Sequence, residues 1–215
     1  MSSADRIASY FPTRLAAVIR WDDADQAYQA VRAAADAGIG SVEVTSGTPQ
    51  AFELIARLRA ELGDRCRVGG GTITSAALAR EALAAGAEYL VTPYLVPEVA
   101  AVAASAGTFL VMGATTPTEI ATAVAAGADL VKVFPANPVG GPDYIRAVRG
   151  PMPQVALWVS GMVAISDISA YLDAGVRVVG LTTDLFRPEL LRGSRWDDIA
   201  GLCRSALSAA APVAV

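Results

Sequence analysis

The sequence contains no histidine, and this absence removes several kinds of catalytic site. Triads that use a histidine base, histidine-bound zinc sites and the commonest transition-metal ligand are all excluded. A magnesium site made of carboxylates stays open, but no cluster of aspartate and glutamate indicates one. We therefore predict that the protein uses no metal, and no organic cofactor is implied.

Cysteine is also scarce, and the chain has no long hydrophobic run. Cys66 and Cys203 lie far apart and form no metal-binding or redox spacing, which is typical of a reducing cytoplasm. The first eleven residues include Asp5 and Arg6 and lack the apolar core of a signal peptide. No uncharged apolar run reaches the ~18 residues that a membrane span needs. These features predict a cytoplasmic protein without a membrane partner.

Basic charge is limited as well. The formal net charge is −4, the sequence pI is about 4.9 and no basic stripe is present, so nucleic-acid binding is not expected. The chain has 215 residues, 53% of them hydrophobic, and shows no linker or shift in composition. This length and composition predict a single domain over residues 1–215 with a large core.

Lysine occurs only once, at Lys132, and every other basic residue is arginine. Lys132 lies in the middle of a short apolar strand, residues 130–134, that a proline closes. A lysine in an apolar setting can lose its proton and act as a nucleophile, whereas arginine stays protonated. The alternative is a solvated lysine on an edge strand, in a chain whose excess of arginine reflects base composition.

An apolar strand, a polar loop and an alanine-rich helix recur about every 20–25 residues. Eight such units predict a small α/β fold, the (β/α)8 or TIM barrel, preceded by a short N-terminal helix over residues 1–10. An open doubly wound sheet is the alternative, but no dinucleotide-binding glycine motif opens the chain. The predicted strands span residues 15–20, 41–45, 67–69, 89–92, 109–112, 130–134, 156–160 and 178–181. The predicted helices begin near Asp23, Pro49, Ser75, Pro97, Pro117, Pro142, Ser166 and Trp196, with prolines 49, 97, 117 and 142 in first turns. The predicted helices end at glycines, which are Gly38, Gly63, Gly86, Gly107, Gly127, Gly150 and Gly175.

Polar residues at the carboxyl ends of the predicted strands are the candidates for a site, because barrel active sites collect there. Glu43 lies within the second strand, where an unpaired carboxylate is unfavourable. If Glu43 and Lys132 both point inward, they meet in one cavity, which indicates catalysis. Glu43 can instead form a structural ion pair, for example with Arg20, or face a helix.

Three glycines follow one another at the end of the third strand. Gly69, Gly70 and Gly71 precede Thr72. Glycines after a strand can hold a phosphate or simply allow a tight turn, so the run alone decides nothing.

Four motifs occur in an order that is typical of one enzyme family, and they cover most of the chain. The sequence resembles the 2-keto-3-deoxy-6-phosphogluconate aldolase family, class I lyases built on a (β/α)8 barrel, from about residue 14 to residue 206. The motifs are Glu43-Val44-Thr45, Val68-Gly69-Gly70-Gly71-Thr72, Val91-Thr92-Pro93 and Lys132-Val133-Phe134-Pro135. Arg20 and three further segments are more similar to the 6-phosphogalactonate branch: Thr48-Pro49-Gln50, Gly141-Pro142-Asp143-Tyr144-Ile145 and Asp184-Leu185-Phe186.

The resemblance implies roles for individual residues. Lys132 forms a Schiff base with the 2-keto carbon, and Glu43 acts as the general acid and base. It also implies a homotrimer, which the residues do not show by themselves. The residues implied at the keto-acid end are Arg20, Thr72, Pro93 and Phe134, with Phe134 packing over the pyruvyl unit.

The sequence departs from the family at three points. Gly47 stands where the main branch has an arginine, so Arg20 is expected to bind the substrate carboxylate instead. Gly161-Met162 stands where the family has Gly-Gly, and Thr182-Thr183 where it typically has Gly-Ser. Family members hold the substrate phosphate on backbone N–H groups of these two loops, which implies roles for Gly161, Met162 and Thr183. Because Met162 narrows the pocket and no cation is added, we predict poor discrimination for a 6-phosphate.

The sequence therefore predicts a cytoplasmic class I aldolase. It would cleave a 2-keto-3-deoxy sugar acid, 6-phosphorylated in the family, to pyruvate and an aldehyde such as glyceraldehyde 3-phosphate. The predicted partners are this small keto acid and other copies of the chain. One alternative is an isomerase or epimerase on a phosphate-binding barrel, with Glu43 as base and Lys132 only polarising a carbonyl. A second alternative is a sugar-acid-binding barrel without catalysis.

Overall fold

Eight parallel strands form a closed barrel in which every strand pairs with its neighbours in sequence order and β1 pairs with β8. The computed structural model describes residues 2–211; Met1 and residues 212–215, which belong to the predicted domain, lie outside them. The closed barrel confirms the predicted fold and rules out the open sheet. Each predicted strand is found within two residues at either end. The strands are β1 (Leu15–Ile19), β2 (Ser41–Thr45), β3 (Arg67–Gly71), β4 (Tyr89–Val91), β5 (Phe109–Ala114), β6 (Leu130–Val133), β7 (Leu157–Val159) and β8 (Val178–Leu181).

Helices cover the outer face of the barrel, and some of them begin after a residue whose side chain satisfies a free N–H group. The side chain of Ser75 accepts a hydrogen bond from the backbone of Leu78, and Thr116 does the same for Glu119. No helix within residues 2–211 combines the length and apolar character needed to cross a membrane. The helices are α1 (Ser3–Tyr10), α2 (Ala24–Asp36), α3 (Ala51–Leu62), α4 (Ala76–Ala84), α5 (Pro97–Ala106), α6 (Pro117–Ala125), α7 (Gly141–Arg149), α8 (Ile168–Asp173), α9 (Pro188–Arg192) and α10 (Trp196–Ala210).

Three details of the helix prediction are corrected. Pro49 does not occupy a first turn, because α3 begins at Ala51 after Gln50 has adopted a left-handed conformation, with φ 55°. Ser166 lies in a 3-10 turn, and the α-helical hydrogen bonds begin only at Ile168. The short helix α9 was not predicted, since its five residues are too few to show a helical period.

The amino-terminal end of the barrel is closed by α1 and the residue that follows it. The ring of Phe11 enters the barrel and lies 5.1 Å from the rings of Tyr89 and Trp158, centroid to centroid. Burying one phenylalanine side chain contributes about 1.5–3 kcal/mol. Because aromatic side chains fill this end, a cavity can open only at the carboxyl ends of the strands.

Candidate active site

Glu43 and Lys132 point into the barrel from opposite walls and meet near its carboxyl end. Glu43 lies on β2 and Lys132 on β6, four strands apart around a ring of eight. The Nζ atom of Lys132 donates a hydrogen bond to Oε2 of Glu43 at 3.4 Å. Closure of the barrel therefore brings together two residues that are 89 positions apart in sequence.

Both members of this pair are buried. Glu43 is 1% exposed and Lys132 is 6% exposed, so neither is the solvated charge of an edge strand. A closed barrel has no edge strand. Removing one partner from a buried ion pair costs about 3–5 kcal/mol, because the other charge loses its compensation. The contact is long for a charged hydrogen bond, and Lys132 is the single hydrogen-bond partner that residues 2–211 give Glu43.

The glycine run makes room for Glu43, and its last two members continue the strand that is predicted to end at Gly69. Gly69, Gly70 and Gly71 are all part of β3. A methyl group on Gly71 would lie 2.0 Å from Oε1 of Glu43, and one on Gly69 would lie 2.3 Å from the ring of Tyr89. These glycines therefore serve side-chain packing inside the barrel, and neither of the two roles considered for them, phosphate binding or a tight turn, is needed to explain them.

Two aromatic rings flank the amine of Lys132. The Nζ atom lies 5.7 Å from the ring centre of Phe134 and 5.8 Å from that of Trp158, within the range of a cation–π interaction. Trp158 is the direct neighbour of Lys132 in the β6–β7 pairing and is fully buried, whereas Phe134 is 39% exposed at the barrel mouth. The amine thus has an apolar wall on one side and an opening on the other.

Arg20 and Thr72 form a second polar group at the mouth. The Nη2 atom of Arg20 donates to Oγ1 of Thr72 at 2.8 Å, and the hydroxyl of Ser46 donates to the carbonyl of Thr72 at 2.8 Å. A Cβ atom on Gly47 would lie 3.4 Å from Nη1 of Arg20. The guanidinium of Arg20 therefore lies beside the position at which the main aldolase branch has an arginine side chain.

The loop after β7 has an unusual backbone. Gly161 has φ 93°, and Met162 follows it in the left-handed region with φ 59°, which is unfavourable for a residue with a Cβ atom. The side chain of Met162 is 73% exposed and lies at the rim of the mouth. If the Met162 side chain narrows the cavity, it does so only at the rim of the mouth.

A cavity of about 270 Å³ connects these groups at the carboxyl end of the barrel. Every residue predicted for the site lines it except Gly161, on which a Cβ atom would lie 3.0 Å from the ring of Phe134. Thr45, Ser160 and Thr182 also line the cavity, and their places at or next to the ends of predicted strands are the sequence signal that could have selected them. Val18 and Phe186 were missed, because their apolar side chains carry no chemical signal. The complete lining is Val18, Arg20, Glu43, Thr45, Thr72, Pro93, Lys132, Phe134, Ser160, Met162, Thr182, Thr183 and Phe186.

The site contains no set of metal ligands within residues 2–211, where no group of three or more cysteine, aspartate or glutamate side chains comes close enough to hold an ion. What the cavity does hold is a buried amine, a carboxylate that contacts it and open space beside both. An amine in this setting can attack a carbonyl while the carboxylate moves the proton. The fold and the site together define a (β/α)8 barrel whose cavity pairs a buried lysine with a carboxylate.

Comparison with known proteins assigns the chain to a family within that class. The family profile described as KDPG and KHG aldolase matches residues 9–202. The 2-dehydro-3-deoxy-6-phosphogalactonate aldolase of Escherichia coli (strain K12) is 33% identical over 80% of this chain and 84% of its own length. The 2-dehydro-3-deoxy-phosphogluconate aldolase of Treponema pallidum (strain Nichols) is 32% identical over 74% of this chain and 75% of its own. A solved structure described as "Native KDPGal structure" has a TM-score of 0.83 and 30% identity, covering 91% of this chain and 93% of that one.

The protein therefore belongs to the KDPG and KHG aldolase family and is a carbon–carbon lyase. This confirms the resemblance inferred from the four sequence motifs. It supports the lyase interpretation over an isomerase, an epimerase or a barrel without catalysis.

Proposed function

We propose that the protein cleaves a 2-keto-3-deoxy sugar acid to pyruvate and an aldehyde through a Schiff base on Lys132. The observation that carries the proposal is the buried contact of 3.4 Å between Lys132 and Glu43 at the edge of the cavity. Lys132 is the chain's single side-chain amine, so it is the single lysine that can form the imine.

In the proposed mechanism, Glu43 accepts a proton from Lys132, and the free amine attacks the 2-keto carbon. Glu43 returns the proton to the resulting hydroxyl, which leaves as water and yields a protonated imine. The bond between C3 and C4 then breaks, its electrons move into the imine, and Glu43 takes the proton of the C4 hydroxyl. Protonation at C3 and hydrolysis of the imine release pyruvate and restore the amine.

Arg20 and Thr72 are proposed to bind the carboxylate of the keto acid, and Phe134 to cover its methylene side. Pro93 completes the wall at this end of the cavity. A guanidinium bound to a hydroxyl is a suitable partner for a carboxylate, because Arg20 keeps further N–H donors free. The cavity lining contains no cation besides Arg20 and Lys132.

Borohydride trapping with pyruvate tests the proposal. The reduced protein should gain one pyruvyl mass, and peptide mapping should place it on Lys132, apart from any reaction at the α-amino terminus. EDTA should change neither trapping nor turnover. If saturating pyruvate leaves no adduct on Lys132, the Schiff-base mechanism is wrong.

Replacing Arg20 tests the proposed carboxylate site. We expect Arg20→Ala to raise the pyruvate concentration needed for half-maximal trapping by about 10–100-fold, the worth of a charged hydrogen bond. Because a side chain at Gly47 would begin 3.4 Å from the Arg20 guanidinium, adding Gly47→Arg to Arg20→Ala should recover part of the loss. Arg146→Ala, which removes a surface guanidinium paired with Asp143 outside the cavity, serves as the control and should leave the pyruvate dependence unchanged. Unchanged pyruvate dependence in Arg20→Ala would remove Arg20 from this role.

Discrimination for a phosphate is expected to be weak. The amides of Gly161, Met162 and Thr183 are proposed to hold it, and no side-chain cation assists them. We expect kcat/KM on phosphorylated and unphosphorylated substrates to differ by less than ~100-fold, about 2.7 kcal/mol. Met162→Gly should raise the ratio in favour of phosphate, because glycine adopts the left-handed backbone freely. A wild-type preference of several thousand-fold would contradict the prediction.

The homotrimer, the cytoplasmic location and the single domain remain proposals. A designed cage built from symmetric oligomeric domains has a TM-score of 0.83 to this chain, which supports an oligomeric relative but sets no number of subunits. Light scattering of the purified protein should give about three times the chain mass of 22.1 kDa. A mass equal to one chain would reject the trimer.

A further inference from the structure

The loops after β6 and β7 are joined by three consecutive hydrogen bonds. The backbone N–H of Ala136 donates to the carbonyl of Ser160 at 2.8 Å, and the N–H of Asn137 donates to the carbonyl of Gly161 at 3.4 Å. The side-chain Nδ2 of Asn137 then donates to the carbonyl of Met162 at 2.6 Å. Three successive carbonyls of the β7 loop therefore point toward the β6 loop.

This arrangement fixes where the neighbouring N–H groups point. In a planar trans peptide the carbonyl of one residue and the N–H of the next point in opposite directions. The N–H groups of Gly161, Met162 and Val163 are therefore directed away from the β6 loop. None of them has an acceptor within residues 2–211. Successive free N–H groups at a bend of the chain form a concave site for an anion.

Asn137 is itself held in one orientation. The hydroxyl of Tyr171 donates to its Oδ1, and Oδ2 of Asp167 accepts from its Nδ2 at 3.2 Å. The opposite orientation would place Oδ1 against two acceptors, the Asp167 carboxylate and the Met162 carbonyl. Tyr171 is fully buried, so the orientation of Asn137 is set by the packed core of the barrel.

The hydrogen bond between Asn137 and Met162 lies at a residue with an unfavourable backbone conformation. Met162 holds φ 59° although its Cβ atom disfavours that conformation. Without the side-chain hydrogen bond, the peptide between Met162 and Val163 is free to rotate, which changes ψ of Met162 and φ of Val163 and moves Met162 out of the left-handed conformation. That rotation would turn the Val163 N–H away from its neighbours.

We infer that Asn137 is a positioning residue, which holds the free N–H groups of the β7 loop toward the distal, anionic group of the substrate. The inference rests on the proposed function and extends it to a residue outside the cavity lining. The hydrogen bonds of the Asn137 side chain go to Met162, Asp167 and Tyr171, and none goes to Lys132. It acts on distal-group recognition and leaves imine formation unchanged.

The test compares phosphorylated and unphosphorylated 2-keto-3-deoxy acids in variants of Asn137. Asn137→Ala should lower the ratio of their kcat/KM values by about 3–10-fold, the net worth of one hydrogen bond. The rate of pyruvate trapping on Lys132 should stay at the wild-type value. Tyr171→Phe, which removes only the hydroxyl that donates to Asn137, should change the ratio in the same direction by less, and it is the second variant to measure if Asn137→Ala does not fold. Tyr28→Phe, which removes a hydroxyl bound to Glu61 on the outer helices, should change neither quantity.

A double-mutant cycle distinguishes positioning from a general loss of stability. In the Met162→Gly background the left-handed backbone is unstrained, so Asn137→Ala should lower the ratio by less than it does beside Met162. A purely structural role would reduce trapping and both kcat/KM values together, and that result would overturn the inference. An unchanged ratio in folded Asn137→Ala and Tyr171→Phe would overturn it too. Failure of wild-type trapping would instead reject the proposed function.

Discussion

Lys132→Arg is expected to abolish turnover and pyruvate trapping while the barrel stays folded. Arginine keeps the positive charge beside Glu43, which compensates the buried carboxylate, but a guanidinium does not form the imine. Because the chain has no other lysine, the variant has no second side-chain amine to substitute for the first. Turnover, intact mass after borohydride and thermal unfolding should be measured on the same sample. Residual trapping inside the barrel, or turnover near the wild-type value, would contradict the assignment.

Chemical rescue makes this test stricter. Lys132→Cys followed by alkylation with bromoethylamine places an amine at nearly the original distance from the backbone and should restore part of the activity. The two native cysteines should not react with bromoethylamine. Burial raises the pKa of the Cys66 and Cys203 thiols to about 12, which keeps them protonated and unreactive. Alkylation of the wild-type protein is the control and should leave its activity unchanged.

Glu43→Gln is expected to lower kcat by about 10²–10⁴, the usual contribution of a positioned acid or base. The amide keeps the shape of the side chain but neither takes the proton from Lys132 nor returns it to the carbinolamine. Pyruvate trapping should therefore slow as well, while the concentration of pyruvate needed for half-maximal trapping changes little. Single-turnover cleavage and the trapping rate are the two measurements. A variant that cleaves substrate at close to the wild-type rate would exclude Glu43 from proton transfer.

The free energy of unfolding should be measured together with activity for each variant of Glu43. Glu43→Gln leaves the Lys132 charge without its partner, and breaking a buried pair costs about 3–5 kcal/mol. Glu43→Asp is the matched control, because it keeps the carboxylate and withdraws it by one methylene group. If Glu43→Asp retains the fold and loses less activity than Glu43→Gln, the loss reflects proton transfer and not unfolding.

The strands and the barrel could be predicted because their signals are local. Apolar runs mark the buried parallel strands, and each predicted glycine lies just after the end of a helix. Eight repeated units then leave few alternatives. The errors arise where a local signal has two meanings. Pro49 precedes its helix by two residues, and Gly70 and Gly71 extend a strand that is predicted to end at Gly69.

The site residues could be named from sequence, but their arrangement could not. Arg20 and Thr72 are 52 positions apart and contact each other only because β1 and β3 end at the same mouth. Asn137 gave no signal at all, since one polar residue in a loop is ordinary. Its importance follows from three contacts, to Met162, Asp167 and Tyr171, that require the folded chain.

The sequence by itself determined the fold class, the family and the two residues of the proposed chemistry. Lys132 and Glu43 could be chosen without coordinates, because one is the chain's single lysine and the other is a glutamate within an apolar strand. The tertiary structure alone decided that these residues contact each other, that the glycines of β3 make space for Glu43, and that Met162 lies at the rim in a left-handed conformation. The reason is physical. Propensity and hydrophobic period act over a few neighbouring residues, whereas side chains on opposite walls meet only after the ring of eight strands has closed.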